Sequence, residues 1–405
     1  MCSFIGDAPF NFSYMFINKS TFMINSFRLL LFTVVLSSIS NTTLAQKAAS
    51  KKSILAAMRL TNSYFMNKWP DAGKTIITNK ERKSNIWTRG VYYEGLLALH
   101  SVETKKANQK KYEAYTLQWG QKHNWSLNGG SNTRHADNQC AGQAYYDLFA
   151  LRGSKESFML DTIKASVDKM LATQRVDDWS WIDALQMAMP VFVRLGVHFN
   201  DTAYFNRMYA MYAFTKYHHG GKGLYNTDDK LWWRDKDFVA PYKEPNGEDC
   251  YWSRGNGWVV AALVRVLDML PKTDPHYNEY LQDYKDLCAA ILPLQRTDGL
   301  WNVSLHDSTH FGGKEMTGTA LFVYGFAYGI NKGLLDKKMY QPVINKAWHA
   351  MVKDCVQPSG FLGWVQGTGK EPKDGQPLSY DKQPDFEDYG LGCFLLAGSE
   401  VYKLK

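Results

Sequence analysis

The strongest constraint on this chain is an alternation of two kinds of apolar segment. Residues 90–100, 140–153, 183–196, 255–270, 317–329 and 389–402 mix small, aromatic and aliphatic side chains with almost no polar face. A helix that is apolar all round must be buried. Between them lie residues 50–67, 110–121, 155–174, 201–216, 277–292 and 340–354, which set a charged face against one apolar stripe. In the third of these, Phe158, Ile163, Val167, Met170 and Leu171 recur mostly at three- and four-residue steps, the helical period. Strand-like alternation is scarce. Six buried helices alternating with six amphipathic ones predict an inner ring wrapped by an outer ring, an all-α (α/α)6 toroid. Glycines near the segment ends suit inner helices that crowd one another. A superhelical stack of helical hairpins is the rival arrangement. Long inter-helix loops favour the closed ring, with a site built from loops at one end.

The 45% hydrophobic content excludes a disordered or collagen-like chain. A length of 405 residues suggests two or three domains as a starting prior. No Pro/Ser-rich hinge, low-complexity linker or long charge run marks a boundary, so residues 46–405 read as a single domain. The first 45 residues read as a leader. Arg28 precedes the apolar run from Leu29 to Leu36, and Thr43-Leu44-Ala45 forms a small-residue cleavage site before Gln46. Met23 is the expected true start, and export to a periplasm follows from this reading, with no membrane association after cleavage. The run is too short to span a bilayer. After the leader, which holds Cys2, the cysteines Cys140, Cys250, Cys288, Cys355 and Cys393 are odd in number and widely spaced, which predicts buried free thiols and leaves one disulfide open. The formal charge of +8 is mild and lacks the clustered basic footprint of a nucleic-acid binder.

The loops that precede the buried segments hold the chemically notable residues. If the ring closes, these starts converge on one mouth. Trp87, Trp179, Trp181, Trp252 and Trp258 would bring aromatic faces there, with His135, Asp137, Asp183 and Arg254 as polar groups. Stacking rings beside hydrogen-bonding carboxylates describe a carbohydrate cleft. Asp183 opens an inner segment, where an acid can also serve as a helix cap. The tryptophans just before it would desolvate its carboxyl and keep it protonated, as a general acid requires. Asp137, beside His135, poses the same choice. Two carboxylates on neighbouring inner helices suit acid–base work on a glycosidic bond. Arg254 and Trp258 lie four apart on one helix face, fit to bind a carboxylate and stack a sugar. A structural pair of Arg254 with Asp249 plus a core Trp258 is the alternative. Gln295-Arg296-Thr297-Asp298-Gly299-Leu300-Trp301 reads as a turn closing an outer helix, and Asp228-Asp229 as a solvated turn. No P-loop, G-x-S-x-G, H-E-x-x-H, C-x-x-C or placed Rossmann fingerprint occurs, so no metal or cofactor is expected.

Three stretches together resemble a known family. Residues 179–183 with Met187-Ala188-Met189-Pro190, then Trp252-Ser253-Arg254-Gly255-Asn256-Gly257-Trp258, then Glu315-Met316-Thr317-Gly318-Thr319-Ala320 look like the unsaturated rhamnogalacturonyl hydrolases of glycoside hydrolase family 105, related to the unsaturated glucuronyl hydrolases of family 88. The resemblance covers about residues 50 to 404. It implies an (α/α)6 barrel and a substrate with a 4,5-unsaturated uronic acid at its non-reducing end, as a polysaccharide lyase leaves, most readily pectin fragments. The implied reaction hydrates that double bond. An aspartate protonates C4, water adds at C5, and the resulting hemiketal opens to release the aglycone. On this resemblance Asp183 matches the catalytic acid/base and Asp137 the second aspartate. Arg254 and Trp258 match the sugar-binding pair, beside Trp87, His135, Trp181 and Trp252 at the mouth. One departure stands out: where the family often has a histidine, Leu231-Trp232-Trp233-Arg234-Asp235 carries Arg234, a permanent cation that could bind an acidic group on a different aglycone. The alternatives are another (α/α)6 enzyme such as a lyase or sugar epimerase, a glucuronyl hydrolase for ulvan or glycosaminoglycan fragments, and a non-catalytic sugar-binding toroid.

Overall fold

The chain builds helical hairpins in which each outer helix is followed by an inner one. In a computed structural model, which describes residues 47–77, 81–384 and 387–405, the helices are α1 (Lys51–Lys68), α2 (Trp87–Val102), α3 (Lys106–Lys122), α4 (Ala136–Gln139), α5 (Ala141–Leu151), α6 (Asp161–Leu171) and α7 (Asp183–Phe199), followed by α8 (Thr202–Tyr217), α9 (Ser253–Leu267), α10 (Tyr277–Ile291), α11 (Met316–Asn331), α12 (Lys337–Ala350) and α13 (Asp388–Lys403). Cys140 is itself helical, so α4 and α5 run on as one inner element. The expected leader, with its start at Met23 and cleavage after Ala45, lies outside the described residues, as do Asp385 and Phe386 of the last loop. From Lys47 onward the described residues belong to one compact unit.

Polar caps start several outer helices. Ser50 accepts from the Ser53 amide, Asp201 from Ala203 and Asp336 from Lys338. Each such cap contributes about 1 kcal/mol. Inner helices instead derive their stability from burial; every residue of α9 is buried. Successive inner helices pack side by side, and α13 returns to pack against α2. That return closes the ring and excludes the open superhelical stack. The closing seam requires glycine. A Cβ on Gly95 would sit 2.5 Å from the Gly392 carbonyl oxygen, and one on Gly392 would overlap the Val91 carbonyl. A buried ion pair fastens the same seam, with Arg89 Nε 3.0 Å from Asp388 Oδ2.

Strand structure among the described residues is slight. β1 (Ile76–Ile77) pairs antiparallel with β2 (Glu81–Arg82), and β3 (Tyr225–Asn226) with β4 (Leu231–Trp232). Asp228 and Asp229 lie in the β3–β4 turn, where Asn226 accepts from both backbone amides. Residues 295–301 also form a turn: Arg296 pairs with Asp298, and the Trp301 indole donates to the Ile291 carbonyl at the end of α10. Helix starts differ from expectation in several places, with α2, α3 and α12 beginning three or four residues early. The third amphipathic stretch opens with a 3-10 turn, Ser157–Leu160, before α6, and this leaves Phe158 half exposed at 51%, off the apolar stripe. All five described cysteines are buried free thiols, which removes the disulfide alternative.

The two ends of the barrel differ. Helix starts from α2, α4, α7 and α9 surround one cavity. The far ends of α7, α9, α11 and α13 line a separate cavity of about 580 Å³, where the lining cations face Asp268, Glu400 and the chain end.

Candidate active site

Asp183 is the first residue of α7, and the backbone before it is held in place. Trp181 bridges to Asp235, and the Ile182 amide donates to the Arg234 carbonyl at 2.9 Å. This pairing carries Arg234 alongside the start of α7. Its Nε lies 3.6 Å from Asp183 Oδ2, while its Nη1 donates to Asp235 Oδ2 at 2.6 Å. Asp183 is only 8% exposed, and its Oδ1 has no hydrogen-bond partner among the described residues. An unsatisfied buried oxygen facing a cavity is free to address a ligand, whereas a pure capping role would have bound it to a backbone amide.

The cavity beside it has a volume of about 160 Å³ and is lined by Trp87, Asp137, Trp181, Asp183, Met187, Arg234, Trp252, Arg254, Trp258, Thr368 and Gly369. Eight of the nine residues expected at the site therefore come together. The ninth, His135, lines an adjoining chamber instead, with its ring tilted over Trp181 at 5.0 Å and its Nδ1 4.0 Å from Asp137 Oδ2. Of the two tryptophans preceding Asp183, Trp181 faces the cavity, and Trp179 is fully buried against Phe192. Trp87 meets Trp258 edge-on at 6.2 Å and lies 5.1 Å from Tyr389, which gives the cavity an aromatic wall. The fifth loop, which ends at Glu315, contributes no wall. Glu315 caps α11 and receives the Ser253 hydroxyl behind the site.

Arg254 corrects one alternative and qualifies an expectation. It does not pair with Asp249, whose partner is Lys243 at 3.0 Å. Its guanidinium is 1% exposed and donates to the carbonyls of Gln366 and Gly367, each at 2.9 Å, and to the Tyr389 hydroxyl at 2.7 Å. It also lies over Trp252 at 4.4 Å, and the Trp252 indole donates to Gln366 Oε1. The arginine thus pins a loop over the cavity and brings its charge to the wall, with most donors committed to the protein.

The electrostatics favour protonated carboxyls. Burial raises the Asp183 carboxyl above its ordinary value, against the pull of Arg234 and Arg254, and Asp235 adds to the rise. The Asp137 side chain, 31% exposed, is pushed up to about 7 by enclosure within the pocket walls and then by Asp183, with Arg234 opposing. Inner-helix N-termini also end here, and their dipoles favour an anionic ligand. Among the described residues no group of three or more His, Cys, Asp or Glu side chains is arranged to hold a metal ion.

The loop from Gln366 to Gly369 escaped sequence reasoning. Its residues follow no helical or strand period. The available signal was length: among the described residues, about 30 without a helix lie between the π-turn Met351–Cys355 that ends α12 and the start of α13, and such long connections in compact domains are commonly functional.

The profile of Glycosyl Hydrolase Family 88 matches residues 57–405. A protein of Formosa agariphila named unsaturated 3S-rhamnoglycuronyl hydrolase is 34% identical over 339 residues, which cover 79% of this chain and 85% of that protein. Among solved structures, a family 88 glycosyl hydrolase from Bacteroides vulgatus superposes with a TM-score of 0.78 at 27% identity, covering 88% of this chain and all of that one. A family 105 glycoside hydrolase from C. acetobutylicum superposes with a TM-score of 0.65 at 18% identity, over 86% of this chain and 99% of that one; at that identity the likeness is one of fold. The (α/α)6 barrel is shared, and the family profile that matches is 88 where the motifs had suggested 105.

Proposed function

The chain belongs to glycosyl hydrolase family 88, and from that premise we propose that it releases a 4,5-unsaturated uronic acid from the non-reducing end of lyase-generated oligosaccharides. The observation that carries the reading is the pair Asp183 and Asp137, on neighbouring inner helices, with raised carboxyl pKa values in one small aromatic-walled cavity. A proton donor at an enol ether must hold its proton at working pH, and burial provides this at Asp183. Asp183 gives its proton to C4, and positive charge develops at C5 and the ring oxygen. Water adds at C5, losing a proton to a carboxylate of the pair. The C5–O5 bond of the hemiketal then breaks, leaving a ketone at C5 and a hemiacetal at C1 that expels the aglycone alcohol. Arg234 stands beside Asp183, where its charge complements the substrate carboxylate on C5. Trp87, Trp181, Trp252 and Trp258 supply the faces against which the ring packs.

The motif stretches 179–190 and 252–258 support the finer likeness to family 105, and with it pectin fragments of rhamnogalacturonan type. The name of the Formosa agariphila relative instead favours an unsaturated uronyl residue linked to rhamnose in a glycuronan, and we take that as the first substrate to test. The leader-like residues 28–45 support export to a periplasm as part of the same reading.

The double bond absorbs ultraviolet light, so turnover of an unsaturated disaccharide is followed as loss of absorbance. Asp183→Asn is expected to lower kcat about 10²- to 10⁴-fold, the usual weight of a positioned general acid. Full activity in that variant, or a gain of absorbance from an intact polysaccharide as a lyase would give, overturns the assignment.

A further inference from the structure

The far end of the barrel carries a cavity of about 580 Å³ that the chemistry at Asp183 does not use. Asp183 opens α7, and Arg194 lines this cavity about three turns later, roughly 16 Å along the axis at 1.5 Å per residue. Arg254 and Arg265 stand in the same relation on α9. The volume falls within the roughly 300–1,000 Å³ of small-molecule sites.

One wall is formed by two tyrosines a turn apart on α11, Tyr324 and Tyr328, which are 7% and 4% exposed. Neither hydroxyl has a hydrogen-bond partner among the described residues. Buried hydroxyls are normally satisfied, so two left open toward one space point to a ligand. The Tyr328 ring is held in place, with Tyr284 edge-on at 6.4 Å and Lys332 Nζ over its face at 5.5 Å. The cations of the lining are already matched. Arg194 and Arg265 both pair with Asp147, Arg265 also with Glu94, Lys332 with Asp268 and Lys403 with Glu400. Lys337 donates to the Lys405 carbonyl at 2.6 Å. Inner-helix C-termini gather at this end, and their dipoles add negative partial charge that offsets the surplus of lysines. Little net charge is left for an ion to answer. Asp268 and Glu400 keep lone pairs to spare, since an ionised carboxylate accepts about four hydrogen bonds. Open hydroxyls, carboxylate acceptors and aromatic rings around a charge-balanced space suit a neutral ligand rich in hydroxyl groups.

We propose that this cavity is a second, non-catalytic site that binds a neutral mono- or disaccharide. The test titrates L-rhamnose, D-galactose, lactose and D-glucuronate into the full chain by calorimetry. At least one neutral sugar is expected to bind with a Kd of about 1 mM or below. Tyr324→Phe and Tyr328→Phe should each weaken that binding about 2- to 10-fold, the weight of one neutral hydrogen bond. Trp181→Ala removes a face of the catalytic cavity and should lower kcat/KM on an unsaturated disaccharide while leaving the neutral-sugar Kd unchanged. Far-ultraviolet circular dichroism confirms that the variants fold. Absence of binding by every neutral sugar at about 100 mM, a hundredfold above that Kd, overturns the site. So does a Kd unmoved in both phenylalanine variants, or one lost in Trp181→Ala, which would place the sugar in the catalytic cavity. Tighter binding of glucuronate than of any neutral sugar overturns the assignment of a neutral ligand. None of these outcomes bears on the hydrolase reading, which the ultraviolet assay tests separately.

Discussion

Arg234 offers the sharpest test of how the site sets its proton affinities. Its Nε is 3.6 Å from Asp183 Oδ2, and the two side chains are only 19% and 12% exposed. At an effective dielectric of about 20, unit charges at that distance interact by roughly 4–5 kcal/mol, or about three pKa units, which is a ceiling. Arginine beside aspartate commonly lowers its pKa by about 1–3 units. Arg234 divides its charge between Asp183 and Asp235, so about 1–2 units is the expected share. Arg234→Gln removes the cation and also leaves Asp235 unpaired, and Asp235 already raises the Asp183 carboxyl. Both effects act in one direction. The folded-state carboxyl holds its proton to higher pH, for Asp183 and for Asp137, on which Arg234 also pulls. A proton donor is active while protonated, so activity is lost as pH rises through its pKa. The alkaline limb of log kcat/KM against pH should therefore move up by about 1–2 units in Arg234→Gln. The assay is the ultraviolet decay of an unsaturated disaccharide across pH 5 to 10, with KM and kcat resolved at each point. A limb that stays in place, or moves to lower pH, would refute the claim that Arg234 tunes a protonated donor at Asp183.

Other outcomes follow from packing. Gly392→Ala should destabilise the fold by about 1–3 kcal/mol, because a new methyl meets the Val91 carbonyl at the closing seam; in an ordinary helix interior the same change would stabilise by about 1 kcal/mol, so a raised melting temperature would contradict the seam. Arg254→Met orphans the Gly367 carbonyl, while the Gln366 carbonyl keeps the Tyr389 hydroxyl, and should cost about 1–3 kcal/mol for the buried group left unpaired; thermal unfolding measures the loss, and KM should rise as the loop loosens. Ellman's reagent should leave Cys140, Cys250, Cys288, Cys355 and Cys393 unmodified in the native protein and react with them on denaturation, since all five are buried and burial raises each of these thiols.

Which parts of the molecule could be read in advance follows from where their causes lie. The inner helices were legible because an all-round apolar segment has a single stable environment. Asp183 was legible because an acid opening such a segment, with Trp181 just before it, is locally unusual. Arg234 drew notice only through a departure from a motif. Its place beside Asp183 depends on the bridge between Trp181 and Asp235, which joins residues more than 50 apart. The loop contacts of Arg254 were hidden for a related reason. Its guanidinium answers carbonyls 112 and 113 residues away, and no local pattern encodes that distance. The 3-10 turn before α6 shows the opposite limit, where the α-helix begins later than periodicity alone would have placed it.

The closing seam also sets when the protein becomes an enzyme. Asp183, Arg234 and Asp137 are all present once the first two-thirds of the chain exist. Arg254, however, is anchored by Gln366, Gly367 and Tyr389, and those anchors are set when α13 docks on α2. A chain still being synthesised, or one clipped ahead of α13, would carry both acids in an unfinished cup. Turnover therefore reports ring closure itself, and regain of activity during refolding should coincide with burial at the seam instead of following helix formation.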